Sequence, residues 1–131
     1  MKVRMIVAVS VLCLGISAFR VEAHHSFAAE FDASQPVTID GVVTKVEWTN
    51  PHVWFFVNVE DAATGAVVNW GAEMGSPNAL VRNGWAHDTM YIGMVVTVNG
   101  SRAKDGSYKL NTRSVTVDGE RLGAASSQRS N

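Results

Sequence analysis

Five segments that alternate apolar and polar residues, a short capped helix between the third and fourth, and a glycine-interrupted first segment predict a mainly β domain. The order of elements is that of a five-stranded OB-like barrel with one short helix between strands 3 and 4. An open antiparallel sheet with a helix on one face is the alternative that the pattern leaves open. The 131 residues suffice for one domain and are too few for two.

The first strand is expected from Val37 to Trp48. Val37 and Ile39 share one face, whereas Val42, Thr44, Val46 and Trp48 fall in the opposite numerical phase, so the phase changes across Asp40-Gly41. A strand that changes phase at a glycine carries a bulge or a sharp bend. Asn50-Pro51 ends it, because proline lacks an amide donor and asparagine favours turns. The second strand, residues 52–60, alternates cleanly: Val53, Phe55, Val57 and Val59 on one side, His52, Trp54, Phe56 and Asn58 on the other. A loop at 61–65 leads to the third strand at 66–73. Ser76, Pro77 and Gly84 then supply an N-cap, a first helical residue and a stop for a two-turn helix. Met94, Val96 and Val98 mark the fourth strand, Asp105-Gly106 a hairpin turn, and 108–117 the fifth strand. Met74, Met90 and Met94 are spaced for filling the core rather than for a copper(I) thioether site.

Ahead of the domain stands a leader. Lys2 and Arg4 give a positive start, Met5 to Phe19 an apolar run, and Val21 and Ala23 the small residues a signal peptidase accepts. The run is 15 residues long, short of the ~20 that a spanning helix needs. Residues 1–23 are therefore expected to be a cleaved signal peptide, 24–36 an N-terminal arm, 37–118 the barrel and 119–131 a flexible tail. The expected location is periplasmic or secreted, with no stable membrane anchor after cleavage. Cleavage after Ala18 is the competing site and would leave His24 internal. In the arm, Phe27 and Phe31 either share one side of a helical turn or pin an irregular segment onto the domain; the mixed polarity favours the second.

The only cysteine, Cys13, leaves with the leader, so the mature chain has no disulfide, thiolate metal site or cysteine nucleophile. Loss of Lys2, Arg4, Arg20 and Glu22 leaves eight basic against eleven acidic residues. That balance, with its basic residues scattered, argues against nucleic acid as a partner. Ser26, Ser76 and Ser114 stand in no nucleophile elbow, and no glycine-rich phosphate loop is present. Glu47, Glu60, Glu73 and Asp88 are read as a solvated outer face. An enzyme is thus the weakest expectation.

His24-His25-Ser26-Phe27, Phe31-Asp32, Gly41-Val42-Val43, Trp48-Thr49-Asn50-Pro51-His52 and Gly84-Trp85 occur in an order that resembles a family of small exported bacterial proteins, domain of unknown function 6152. The resemblance spans essentially the whole mature chain. It implies export, with a Gram-negative periplasm as the setting, and a small β fold. It hands over no reaction and no catalytic residue.

Chemistry is best concentrated in the histidines. Cleavage after Ala23 gives His24 a free α-amine beside its imidazole, and amine nitrogen plus ring Nδ1 chelate Cu(II), which favours tetragonal nitrogen sites. His52, presented by Pro51 at a strand start, is the expected third nitrogen, similar to the histidine brace of secreted copper proteins. His25 is the weaker choice, since neighbouring side chains of an extended arm point apart. Glu30 or Asp32 is expected to supply an oxygen or to orient a ring. An amine and an imidazole ordinarily titrate near ~8 and ~6.5, so copper binding should weaken as pH falls. The competing expectation is structural: an arm imidazole bonded to the barrel and His52 capping its strand. A second constellation, Trp48, Trp54 and Phe56, offers a metal-free surface for an envelope protein or a small ligand unless the arm covers it.

Overall fold

The computed structural model describes residues 27–126. The leader, His24, His25 and residues 127–131 lie outside them. Among the described residues the chain is mainly β, with six strands and two short helices. One helical turn at 27–30 (α1) leads into β1 (Phe31–Glu47), followed by β2 (Trp54–Glu60) and β3 (Val67–Glu73). Helix α2 (Pro77–Arg82) precedes β4 (Val95–Ala103), β5 (Lys109–Val117) and β6 (Glu120–Gly123).

The strands pair in the order β3-β2-β1-β4-β5-β6, and β3 also pairs with β5. Hydrogen bonds therefore run in a ring through β1, β2, β3, β5 and β4, with β6 pairing farther along the same edge of β5 that β3 uses. Neighbours are antiparallel except β3 and β5, which run parallel from Gly71 opposite Lys109 to Glu73 opposite Asn111. The length of β1 makes the ring possible. Its first part, Phe31 to Val42, pairs with β4, and its last part, Val42 to Glu47, pairs with β2.

Two features of β1 differ from the sequence expectation. It starts at Phe31 rather than Val37, and the irregularity in its pairing with β2 falls between Val43 and Lys45 rather than at Gly41. Ile39 and Val43 are buried, and Val37, Val46 and Trp48 pack against the same core, while Val42 is exposed. The inward phase thus runs 37, 39, 43 and then, past the extra residue Thr44, 46 and 48. Gly41 serves a different purpose: a Cβ there would stand 2.1 Å from the carbonyl oxygen of Asn58, so its bare backbone lets β2 approach.

Alternation in β2 buries Val53, Phe55 and Val57 and turns Trp54, Phe56 and Asn58 outward. With Ala72, Leu80, Val96, Val98, Leu110 and Val115 they form the core, each large side chain contributing about 1.5–3 kcal/mol by leaving water. Met74, Met90 and Met94 are buried in it, in line with the sequence expectation. Helix α2 starts where the sequence places it: the Ser76 hydroxyl accepts a 3.2 Å hydrogen bond from the Ala79 amide, with Pro77 in the first helical position.

The arm is not irregular at its described end. Residues 27–30 form a helical turn, and the Phe27 and Phe31 rings stack at 5.9 Å with Phe31 buried. The tail is likewise more ordered than its polarity suggests. Asp118 and Gly119 both adopt positive φ, 49° and 79°, and turn the chain so that Glu120 pairs with Val117. Residues 123–126 then run past the end of β3: the Ala124 carbonyl accepts from the Gly75 amide, and the Trp85 indole donates to Gly123.

Candidate functional site

The turn that ends β1 contains a cis Asn50-Pro51 peptide and delivers His52 just ahead of β2. The Val53 amide donates to Gly75 and its carbonyl accepts from the Met74 amide, so the backbone of 53 is clamped to that of 74 and 75. That clamp sets His52 beside the end of β3. Its Nδ1 lies 3.0 Å from the Met74 carbonyl oxygen. A carbonyl only accepts, so Nδ1 carries the proton, and Nε2 of the neutral ring keeps its lone pair for another partner.

Beside it stands Glu73, with a side chain only 12% exposed against 35% for His52. Its Oε1 is 3.8 Å from His52 Nδ1 and accepts a 3.2 Å hydrogen bond from Asn111 Nδ2. The parallel pairing of β3 with β5 creates this contact by placing residues 73 and 111 opposite one another. Asn111 is 1% exposed and its Oδ1 accepts from the Ser126 hydroxyl, so the C-terminal stretch covers the cluster. Burial pushes the Glu73 carboxyl above its ordinary range; His52 opposes that shift, the Glu30 carboxylate adds to it, and the Asn111 bond opposes it.

The sequence reading assigned Glu73 to a solvated face, and the structure corrects it. No local signal distinguishes Glu73 from Glu47 or Glu60, because its burial depends on a pairing 38 residues away. The two acids the sequence favoured are otherwise engaged. Asp32 accepts from the Ser34 amide and hydroxyl and from Gln35, bonds that lower its pKa with Ser34 foremost. Glu30 lies 3.9 Å from Lys109, and its carbonyl accepts from the Lys104 amide, while Lys104 Nζ donates to the carbonyl of Ala28. Turn α1 is thereby fastened to the β4–β5 end of the sheet, within electrostatic reach of Glu73.

The aromatic residues of interest fall in two places. Trp54 and Phe56 are half-buried on the outer face of β2, and both reach over Gly71 of β3, where an added Cβ would meet their rings at 3.5 and 3.4 Å. Lys45 Nζ sits 5.3 Å from the centre of the Phe56 ring. Trp48 is elsewhere: its ring meets His87 edge-on at 5.7 Å, and both line a cavity of ≈ 250 Å³ with Val46, Met90, Tyr91 and Ile92. The sequence grouped Trp48 with Trp54 and Phe56, and it gave no reason to pair it with His87.

Among the described residues no three His, Cys, Asp or Glu side chains group so as to hold a metal, and no helix is long and apolar enough to cross a membrane. His24 and His25 are not among those residues.

Fold and site together define a small, mainly β protein with a ring of paired strands and one mostly covered acid beside a backbone-anchored histidine. The chain belongs to a family of unknown function, DUF6152, whose model matches residues 10–112. No curated protein matches the chain.

Proposed function

We propose that the protein is an exported binding module, an OB-like barrel working in the periplasm or outside the cell, that holds Cu(II) between its processed N-terminus and His52. In this reading His24 contributes its α-amine and ring Nδ1, and His52 contributes Nε2. His25 is the weaker alternative to His52 for the third nitrogen.

One observation carries the proposal: His52 has Nδ1–H tied to the Met74 carbonyl, which fixes both tautomer and ring direction and leaves Nε2 as its basic atom. Metal-bound histidines ordinarily donate their second ring N–H to a carbonyl or carboxylate in this way. Reach supports it as well. Residues 24–26 span at most about 10 Å, and they lead into turn α1, whose Glu30 carboxylate acts electrostatically on Glu73, the neighbour of His52. Open coordination positions on such an ion suit storage, delivery or sensing.

The test is electron paramagnetic resonance of the Cu(II)-loaded, correctly processed protein, read for the number of coupled nitrogens. Three nitrogens, falling to two in His52→Ala, support the proposal. A spectrum unchanged by that substitution removes His52 from the site and the proposal with it.

A further inference from the structure

Trp48 and His87 open onto a cavity of ≈ 250 Å³ that the copper reading does not use. Val46 and Trp48 reach it from the end of β1, and His87, Met90, Tyr91 and Ile92 from the connection between α2 and β4. Its floor, Met90, is 4% exposed. No acid, lysine or arginine lines it, and the polar side-chain groups are the Trp48 indole N–H, the His87 imidazole and the Tyr91 hydroxyl. At its mouth Tyr91 and Ile92, neighbours in the chain, are 58% and 69% exposed. Large apolar side chains left in water around a concavity mark a surface that something else covers.

The walls are held before anything enters. The Ala86 amide donates to the Thr89 hydroxyl at 2.8 Å and the Thr89 amide to the Ala86 carbonyl, which closes the turn carrying His87. The Gly93 amide donates to the Val43 carbonyl and the Val43 amide to the Met94 carbonyl, which ties the segment after Ile92 to β1. The two halves of the lining are thus joined through backbone, and a ligand does not have to order them.

Size and chemistry select the occupant. An apolar cavity of about 150 Å³ takes one benzene ring, so this one admits one or two fused rings. Trp48 offers such a ring an aromatic neighbour, and the Met90 thioether suits an aromatic edge. A charged ligand would lose hydration and meet no opposite charge in the lining. We infer that the cavity binds a small, uncharged aromatic molecule of one or two fused rings, with its polar edge toward His87 and Tyr91. The outer face of β2 offers no such concavity: Trp54 and Phe56 lie over Gly71, and Lys45 already sits over the Phe56 ring. The inference is independent of copper, since none of its residues is a proposed metal ligand.

The test titrates the full processed protein with indole and, separately, with indolecarboxylate, followed by NMR of the methionine methyls and the tryptophan indole protons. Indole should saturate shifts at the Met90 methyl and the Trp48 N–H and leave the Trp54 N–H unmoved, with or without Cu(II). Indolecarboxylate, the same ring with a charge, should bind at least roughly tenfold more weakly, because its carboxylate gains no partner. Stripping the mouth with Tyr91→Ala and Ile92→Ala together should weaken indole roughly tenfold through lost apolar contact, at a nearly unchanged urea midpoint. Trp48→Leu should abolish binding, and the mouth variant gives the answer if that one fails to fold. No saturable shift, shifts centred on Trp54 and Phe56, equal affinity for the carboxylate, or equal affinity in the mouth variant would overturn the inference. So would a dimer in sedimentation that the mouth variant dissociates, since the cavity would then be a contact between two copies of the chain.

Discussion

His52 and His87 carry the same side chain in opposite settings. His52 is clamped from below by the 53–74–75 backbone bonds, tied at Nδ1 to a carbonyl and flanked by a buried acid. His87 is exposed and meets Trp48 edge-on at the lip of an open cavity beside Tyr91 and Ile92, itself 69% exposed. Fixing a ring in advance saves the ordering that binding would otherwise require, and a metal rewards that more than a soft apolar contact does. The polar region fixes one ring nitrogen in one direction. The aromatic region offers surface without direction.

The sharpest way to break this contrast is to remove each histidine in turn. His52→Ala should weaken Cu(II) binding by more than the ~10–100-fold that loss of an outer partner costs, and His87→Ala should leave it within about twofold by the same titration. Equal losses would dissolve the distinction between the two rings.

The aromatic region should itself divide into floor and lip. Met90, buried beneath the cavity, should cost about 2–5 kcal/mol as Met90→Ala, and Ile92→Ala should stay within ~0.5 kcal/mol, both read from urea midpoints. On the polar side, Gly75→Ala sets a Cβ 2.3 Å from the Ala125 carbonyl oxygen. It should cost about 1–3 kcal/mol by displacing the C-terminal stretch and should raise hydrogen exchange at Ala124.

The smallest effect is in pH. Burial foremost, with the Glu30 carboxylate adding to it, keeps the Glu73 carboxyl above its ordinary range. The folded chain then retains that proton to a higher pH than the unfolded chain does. Its stabilising contribution is complete below the ordinary glutamate value near ~4.3 and is lost as pH rises through the raised one. Glu73→Gln should therefore gain stability on the parent across that window, measured as the difference in urea midpoints. A difference that does not change with pH would place Glu73 in water.

Much of this was legible one residue at a time. The alternation of 53–59 gave β2 its inner and outer faces, and Ser76 with Pro77 gave α2 its start. The Asp-Gly rule that marks the turn at 105–106 applies equally to Asp118-Gly119, although the residues that follow are polar and carry no strand alternation. In β1 the pairing with β2 shifts at Thr44, which carries no local mark, and not at the glycine. Apolar periodicity alone does not separate those choices, since Val42 and Val43 are equally apolar and only one is buried. The candidate site was half legible. His52 stood out through Pro51, but Glu73, Asn111 and Ser126 meet through a parallel pairing and a C-terminal crossing that no local pattern encodes.

In the proposed copper site a single bond cleavage supplies the amine ligand. Two proteins should be prepared, one beginning at His24 and the other carrying a single extra residue before it, each verified by intact mass and titrated with Cu(II) by calorimetry. Tight, stoichiometric binding in the first and its loss in the second is the expected result. Equal binding by both would contradict an amine ligand and leave His52 as a structural cap on β2.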